Sequence, residues 1–382
     1  METLDLILED PGKHKDLIIQ KANLNHDHPN ASDETAKIFA DLAFLFGWTS
    51  NDLMYHYREK ILIEKRLDLG KIDPSGIIDH KEWFPCNPSI CPRYSNDGYF
   101  ILLRLVNFSS ERATNYISHS KDGKFSTRNL LITTDKSFNV LSWVEVTDKS
   151  NRKNYPKHVQ GLEDIQIFPI KERKNQKKQK HKRLGFVCTL VDCQPSGIPL
   201  IGFGLISIIT GQISKIKYLQ PLAKNNCEKN WLPWWQDGGI NLLYHGSNML
   251  RLFFKLDDYV SDTESIQCGV IGFSSARKEL RDVRGSAGPI PFQSGYLFLF
   301  HEVIWINNGR TYIHRFVYVN KDFKVEKISH YFCFELSHIE FARSMTQKLN
   351  ESNILICVGV EDHNAYIYEV SSEVIKKMLI FK

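Results

Sequence analysis

Two acidic pairs in this chain of 382 residues have the residue types that proton transfer requires. Glu163 and Asp164 lie in the segment GLED, and Glu361 and Asp362 lie in GVED, each after a glycine and an apolar residue. A carboxyl group that is partly buried, or that has a second carboxylate beside it, keeps its proton to higher pH, as a general acid must. Although almost 200 residues separate the pairs, we predict that both face one pocket.

Short strands from about residue 81 onward must position these pairs. Apolar runs, most of them opened by glycine, cover residues 98–108, 184–192, 238–247, 294–303 and 352–370. From the second run onward they recur about every 56 residues, and other strand-like segments lie between them. Repetition of strand groups over a long period is typical of a β-propeller and is not explained by a sandwich. The sequence therefore predicts an all-β fold, a five-bladed β-propeller over residues 81–382.

Polar residues occur at similar places in all five repeats. Arg104, Asp192, His245, His301 and Asp362 each lie near the end of an apolar run or just after it. The innermost strand of each propeller blade lines the central channel, so the residue types near these runs are informative. Five repeats that deliver ionisable groups at equivalent places predict one shared axial pocket.

The first 80 residues have a different pattern, which predicts an N-terminal α-helical extension. Ser32 and Glu34 begin a segment with apolar residues three and four apart, and a second helix is expected from Ser50 or Asn51 to a stop at Gly70. The histidines of NHDHPN, residues 25–30, are interpreted as part of a polar turn, because no further metal ligands follow at helical spacing. No metal site and no cofactor are predicted.

The composition is that of an ordinary globular chain, with 42% hydrophobic and 24% charged residues. The start of the chain lacks the pattern of a signal peptide, and no apolar stretch is long enough to cross a bilayer. Eight cysteines without a CxxC pair suit a reduced environment, so we expect a cytoplasmic protein.

Much of the positive charge comes from one segment, residues 171–183, which has eight Lys or Arg and one Glu. A basic run can bind nucleic acid, an anionic membrane or another polyanion. This run lacks the interleaved aromatic residues that stack on bases, so nucleic acid is disfavoured. We interpret it as a solvated hairpin tip between two strands.

Six motifs in order resemble the five-bladed β-propeller enzymes of glycoside hydrolase family 130 and the β-mannosyltransferases of glycosyltransferase family 108. The first motif joins NPSICP to YFILLRLVNF, and the others are GLED, EKNWLPW, RGSAGPIPF, GYLFLFHEV and GVEDHNAYI. The resemblance covers about residues 83–370. It implies glycosyl transfer, with mannose as the family's commonest sugar.

The resemblance assigns the catalytic role to Asp164. In the family pattern G-x-E-D-P-R, the aspartate is the general acid that protonates the glycosidic oxygen, and Glu163 is a neighbour that could raise its pKa. The chain departs from this pattern directly afterwards, because Ile165 and Gln166 replace the proline and the arginine. The departure matters little if that arginine only braces the loop, and it alters the donor site if the arginine binds an anion.

The resemblance also implies a set of substrate-binding residues. Arg104, Lys229 and His301 match basic residues that hold phosphate or an anionic donor, and guanidinium suits phosphate because it offers paired donors. Trp231 could stack on a sugar, although it could equally belong to the core. The others are acids: Glu163 beside the catalytic residue, Asp362 in the last blade, which would contact sugar hydroxyls, and, on weaker grounds, Glu340.

Three cationic residues favour phosphate-bearing chemistry over plain hydrolysis, which would need a second carboxylate to activate water. We expect inverting transfer from a sugar nucleotide or a sugar 1-phosphate to an oligosaccharide or other glycan acceptor. The segment 184–215 has no clear match to a further arginine that the phosphorylases place there. Transfer from an activated sugar is therefore favoured over phosphorolysis of a mannoside. A glycan-binding propeller without activity is the alternative from another class. No DxD-type motif stands out, so a metal-independent mechanism is expected.

Overall fold

The computed structural model describes residues 59–72, 74–78, 81–111, 115–170, 183–220, 222, 227–280, 283–306 and 309–381. Most of the expected helical extension, residues 1–58, and the basic run up to residue 182 lie outside this part of the chain. The run connects two strands that pair in antiparallel orientation.

The described part of the chain consists mainly of strands, with two short α-helices, α1 (Leu256–Val260) and α2 (Ser372–Met378). The strands in chain order are β1 (Glu59–Lys60), β2 (Lys65–Asp68), β3 (Phe84–Pro92), β4 (Gly98–Val106), β5 (Phe108–Glu111), β6 (Asn115–Ser118), β7 (Thr127–Asp135), β8 (Val140–Glu145), β9 (Thr147–Asp148), β10 (Glu163–Pro169), β11 (Arg183–Leu190), β12 (Leu200–Ser207), β13 (Gln212–Ile213), β14 (Ile216–Leu219), β15 (Leu232–Gln236), β16 (Gly239–His245), β17 (Leu250–Lys255), β18 (Ser265–Ile266), β19 (Gly269–Gly272), β20 (Arg284–Phe292), β21 (Gly295–Ile306), β22 (Gly309–Val319), β23 (Val325–Ser329), β24 (Phe332–Cys333), β25 (Glu340–Gln347), β26 (Ile354–Val360), β27 (Asn364–Val370) and β28 (Leu379–Phe381). Two 3-10 helices cover Leu69–Ile72 and Lys278–Leu280.

Five antiparallel sheets form the blades of the predicted propeller. From the innermost strand outward they are β3-β4-β7-β8, β10-β11-β12-β14, β15-β16-β17-β19, β20-β21-β22-β23 and β25-β26-β27-β2. The five-bladed all-β prediction is therefore confirmed. The apolar runs that revealed the repeat are not the innermost strands. They are the second strands of the blades, one strand farther from the propeller axis, namely β4, β11, β16, β21 and β26.

The second strands are continuously apolar because each blade packs against a neighbour on both faces. Every residue of β4 and of β26 is buried. Among the described residues, five large core clusters each contain residues from two consecutive blades. One cluster packs Leu103 of the first blade against Leu355 of the last, so the ring of blades is closed.

A strand from the beginning of the described chain completes the last blade. Strand β2 pairs with β27 in antiparallel orientation, with Leu67 opposite Ile367. The sequence pattern predicted a helix up to Gly70, and for residues 65–68 that prediction is wrong. This segment pairs with the open edge of the last blade, so tertiary pairing overrides the local helical pattern. Whether residues 1–58 form a helical extension stays a prediction.

Candidate functional site

A cavity of about 460 Å³ opens at one end of the propeller. The innermost strands begin there, and the antiparallel second strands end there, so both bring side chains to the same rim. The cavity is lined by Cys86, Asn87, Arg104, Val106, Phe108, Tyr116, Phe125, Val159, Glu163, Asp164, Val191, Pro199, Lys229, Asn230, Arg284, His301, Arg310, Tyr312, Ile339, Phe341 and Asp362.

Six of the eight predicted site residues line this cavity. They are Arg104, Glu163, Asp164, Lys229, His301 and Asp362. Both members of the first acidic pair, from the second blade, and Asp362 of the second pair, from the last blade, line this common pocket.

Asp164 is held by contacts from two other blades, the first and the last. The Arg104 Nη1 atom lies 2.6 Å from Asp164 Oδ1, and Asn87 Nδ2 donates to the same oxygen at 2.8 Å. From the last blade, Arg343 Nε donates to the Asp164 backbone carbonyl at 2.8 Å. Asp164 has a positive φ of 47° at an irregularity in the β10–β11 pairing. These contacts aim its carboxylate into the cavity and explain how an unfavourable backbone conformation is kept.

The acids of this cluster differ in their ionisation. Burial raises the pKa of Glu163, and Arg104 and Lys229 only partly offset this. Burial also acts to raise the pKa of Asp164, but the charges of Arg104, Arg343 and Lys229 outweigh it and hold that pKa below its usual value. Asp164 is thus ionised at neutral pH. Glu163 was named from the sequence as a neighbour that could raise the pKa of Asp164, whereas the arginine at 2.6 Å acts to lower it.

Asp362 lies beside this cluster and has the opposite tendency. Burial raises its pKa to about 6, and the negative charges of Asp164 and Glu361 add to this while Arg104 opposes it. A substantial fraction of Asp362 therefore carries a proton near pH 6. A protonated carboxyl can donate a hydrogen bond to a sugar oxygen, and the ionised form can accept one.

The other side of the cavity is basic. Lys229, Arg284 and Arg310 all line it, and among the ion pairs of the described residues none involves these three side chains. Cations that lack a salt-bridge partner and converge on one cavity could bind an anion such as a phosphate or a diphosphate.

His301 contributes a neutral imidazole rather than a positive charge. Its ring is buried, its Nδ1 atom lies 2.7 Å from the Ser286 hydroxyl, and it stacks on Tyr312 with ring centroids 5.3 Å apart. Burial lowers its pKa well below the usual value, and the nearby His314 and Arg284 lower it further. His301 can therefore offer a hydrogen bond to a phosphate or sugar oxygen, but it does not add to the cationic charge.

Two predicted site residues do not line the cavity. Trp231 is only 1% exposed, packs edge-on against Tyr244, and donates from Nε1 to Glu228 at 3.0 Å, so its ring offers no face to a sugar. Glu340 is fully buried and accepts hydrogen bonds from three backbone N–H groups, those of Phe334, Glu335 and Ser337. Both side chains stabilise the fold instead.

Among the described side chains, Asp192, which also follows an apolar run, does not line the cavity. Asp192 is fully buried in an ion pair with Arg152, and its Oδ2 atom accepts the Gly161 backbone N–H at 3.2 Å. Gly161 has φ of 100°, and a Cβ there would lie 2.6 Å from the Thr127 carbonyl oxygen. Asp192 thus holds the loop that leads into Glu163 and Asp164.

Sequence reasoning missed five residues around the acids and the anion site: Asn87, Arg284, Arg310, Tyr312 and Arg343. Asn87 and Arg284 are the first residues of the motifs NPSICP and RGSAGPIPF, in the innermost strands β3 and β20. A charged or amide residue at the first position of such a motif could therefore have identified both as cavity residues. Arg343 had no such signal, because only the closure of the ring brings the last blade to Asp164. The buried Gln166 occupies the family arginine's place, and Arg343 supplies a brace from another blade.

Among the described residues, no group of three or more His, Cys, Asp or Glu side chains is arranged to hold a metal ion. The eight cysteines form no disulfide, and only Cys227 is exposed. In the part of the chain that the structure covers, no helix has the length and apolar character required to span a membrane.

Comparison with solved structures finds the same fold in carbohydrate-active enzymes. A β-1,2-mannobiose phosphorylase from Listeria innocua, solved with β-1,2-mannobiose, matches with a TM-score of 0.50 at 12% identity over 79% of this chain and 94% of that one. A GDP-Man-dependent mannosyltransferase from Leishmania mexicana has a TM-score of 0.46 at 13% identity, covering 81% of this chain and 91% of that chain. No protein-family model and no curated protein sequence matches. At such low identity, the likeness to the phosphorylase shows the fold alone.

Proposed function

We propose that the protein is an inverting glycosyltransferase that transfers a sugar, mannose by resemblance, from a phosphate-bearing donor to a glycan acceptor. The observation that carries this proposal is the pairing, in one cavity, of an ionised carboxylate, Asp164, with three cations that no ion pair neutralises, Lys229, Arg284 and Arg310. The cations suit a leaving phosphate, and the carboxylate suits the removal of a proton from an acceptor hydroxyl.

The proposed reaction follows from these positions. The acceptor oxygen attacks the anomeric carbon as its proton passes to the Asp164 carboxylate, and the bond from that carbon to the phosphate oxygen breaks. The phosphate leaves with the electron pair and is stabilised by the cations and by a hydrogen bond from His301. Asp362 and Glu163 line the same cavity, and in this proposal their carboxyl groups contact sugar hydroxyls.

Part of the cavity wall is apolar and consists of Val106, Phe108, Phe125 and Val159. The rings of Phe108 and Phe125 meet edge to face. Apolar and aromatic surfaces suit the C–H faces of pyranose rings. We place the acceptor sugar against this wall, opposite the basic side.

A mannoside phosphorylase is the second candidate, because inorganic phosphate also fits the three cations and the fold is shared with such an enzyme. Phosphorolysis requires Asp164 to carry a proton and donate it to the glycosidic oxygen. The ion pair with Arg104 opposes that state in the free protein. The direction in which Asp164 begins as a base is therefore favoured.

A donor screen tests the proposal. Wild type, Asp164→Asn and the surface control Asp97→Asn would be incubated with sugar nucleotides or sugar 1-phosphates and oligosaccharide acceptors, with products identified by mass. We expect elongation from a sugar nucleotide, lowered about 10²- to 10⁴-fold in Asp164→Asn and unchanged in Asp97→Asn. Elongation only from a sugar 1-phosphate would establish the phosphorylase. Glycan binding without product from any donor would establish a binding protein.

A further inference from the structure

The hairpin of β21 and β22 continues the basic side of the cavity toward solvent. Its strands, of 12 and 11 residues, are the longest in the described part of the chain. His301 is opposite His314, Val303 is opposite Tyr312, and Trp305 is opposite Arg310. Residues two apart on a strand share a face, so Trp305 lies on the face that brings His301 to the cavity.

Trp305 is placed as an open aromatic platform at the end of this face. Its side chain is 54% exposed, although burial of a large ring is normally favourable. The Arg310 guanidinium lies over the ring at 5.3 Å from its centroid, and Arg310 itself lines the cavity. The cross-strand pair thus joins a basic residue of the anion site to a large exposed aromatic surface.

We propose that Trp305 and Arg310 form the nucleoside subsite for a nucleoside diphosphate sugar, with the base stacked on Trp305 and the diphosphate held by Arg310, Arg284 and Lys229. The proposal deepens the glycosyltransferase function and rests on it for the direction of the sugar. Four residues of a strand separate His301 from Trp305, which is about 13 Å along β21. A diphosphate and a ribose separate a transferred sugar from its base over a comparable length.

This arrangement distinguishes between classes of donor. A sugar 1-phosphate ends at its phosphate and would leave Trp305 without a ligand. A nucleotide sugar has a planar base beyond its diphosphate, and bases stack on aromatic rings whatever their identity. The Arg310 guanidinium and the base of the ligand would then both contact the Trp305 ring, because cations and aromatic rings both bind to the faces of tryptophan.

Titration calorimetry on the full-length protein tests the subsite without any turnover. GDP, UDP, ADP and inorganic pyrophosphate would be titrated into wild type, Trp305→Ala, Trp305→Phe and Trp143→Ala. Trp143 is a matched control because it is 38% exposed on β8, the outer strand of the first blade. We expect at least one nucleoside diphosphate to bind more tightly than pyrophosphate. Its Kd should rise about 5- to 150-fold in Trp305→Ala, as loss of one base stack predicts.

The other variants make the result specific. Trp305→Phe should restore most of the affinity, pyrophosphate binding should be unchanged in Trp305→Ala, and Trp143→Ala should match wild type. The proposal is overturned if no nucleoside diphosphate binds better than pyrophosphate, or if Trp305→Ala and Trp143→Ala have equal affinities. If a sugar nucleotide is a substrate but its KM is unaffected by Trp305→Ala, the subsite is refuted while the transferase function stands. If stacking is observed but no sugar is transferred, the transferase function alone fails.

Discussion

Replacing Arg104 with glutamine should change the pH at which the protein works. The guanidinium is 2.6 Å from Asp164 Oδ1 and 3.5 Å from Glu163 Oε1, and it is almost fully buried. Two unit charges about 4 Å apart interact by about 4 kcal/mol at an effective dielectric constant of about 20. One unit of pKa corresponds to about 1.4 kcal/mol, so removing this interaction can raise the pKa of Asp164 by as much as about 3 units. The acid limb of the pH–rate profile should move to higher pH by the same amount.

The direction follows from the role of Asp164 as a base. In wild type its lowered pKa keeps it ionised, so activity should fall only when the pH drops below the usual carboxyl range. In Arg104→Gln the buried carboxyl takes up a proton at higher pH, so the loss of activity should begin nearer neutrality. Arg104→Lys keeps a positive charge and should move the limb much less, even if its geometry lowers kcat.

The assay is the initial rate of transfer across pH 4 to 9 for the three proteins, with circular dichroism at each pH to confirm folding. Unfolding midpoints give a readout that needs no substrate. Wild type should lose stability as pH falls through the lowered pKa of Asp164, because that group stabilises the fold only when ionised. Arg104→Gln should instead gain stability as pH falls from 7 toward 5, since protonation removes an uncompensated buried charge. Equal acid limbs in wild type and Arg104→Gln would refute this reasoning.

Three further predictions concern residues with a structural or indirect role. Trp231→Phe should lower the free energy of unfolding by about 1 to 3 kcal/mol, because Glu228 loses a buried hydrogen-bond donor. The KM for acceptors should be unchanged. A raised KM with normal stability would indicate that Trp231 does contact the substrate. Gly161→Ala should lower kcat and should lower the free energy of unfolding, measured by denaturant titration, by about 1 to 3 kcal/mol. The φ of Gly161 is 100°, and a Cβ there would lie 2.6 Å from the Thr127 carbonyl oxygen, so the acidic loop would have to move. A wild-type kcat would show that the loop tolerates a Cβ. Burial lowers the pKa of His314 to about 3, so between about pH 3 and 6 the unfolded chain binds one proton more at this residue than the folded chain does. In His314→Phe the free energy of unfolding should therefore fall less steeply with decreasing pH, by about 1.4 kcal/mol per pH unit. Identical slopes in the two proteins would mean that His314 is protonated in the fold.

The anion site could be predicted only in part. Lys229 and His301 were found because motifs surrounded them, but Arg310 has no motif and reaches the cavity through the register of the β21–β22 hairpin. His301 was expected as a contact for phosphate and does line the cavity, yet its burial beside Ser286 leaves it neutral. Charge at a given residue depends on desolvation and neighbours, and neither can be obtained from local sequence.

The sequence by itself determined the architecture and the end of the propeller at which the chemistry gathers. Both depend on local periodicity, because each blade repeats the same apolar second strand and places polar residues such as Arg104 and Asp362 at its end. Tertiary structure alone decided that Asp164 is the ionised acid, that Arg343 braces it, and that Trp231 and Glu340 are buried. The contacts of Asp164 with Arg104 and Arg343 join residues that are far apart in the chain, so the assembly of the blades into a closed ring sets them. Trp231 and Glu340 are held by partners close to them in the chain, and only the packing of the folded blades buries them.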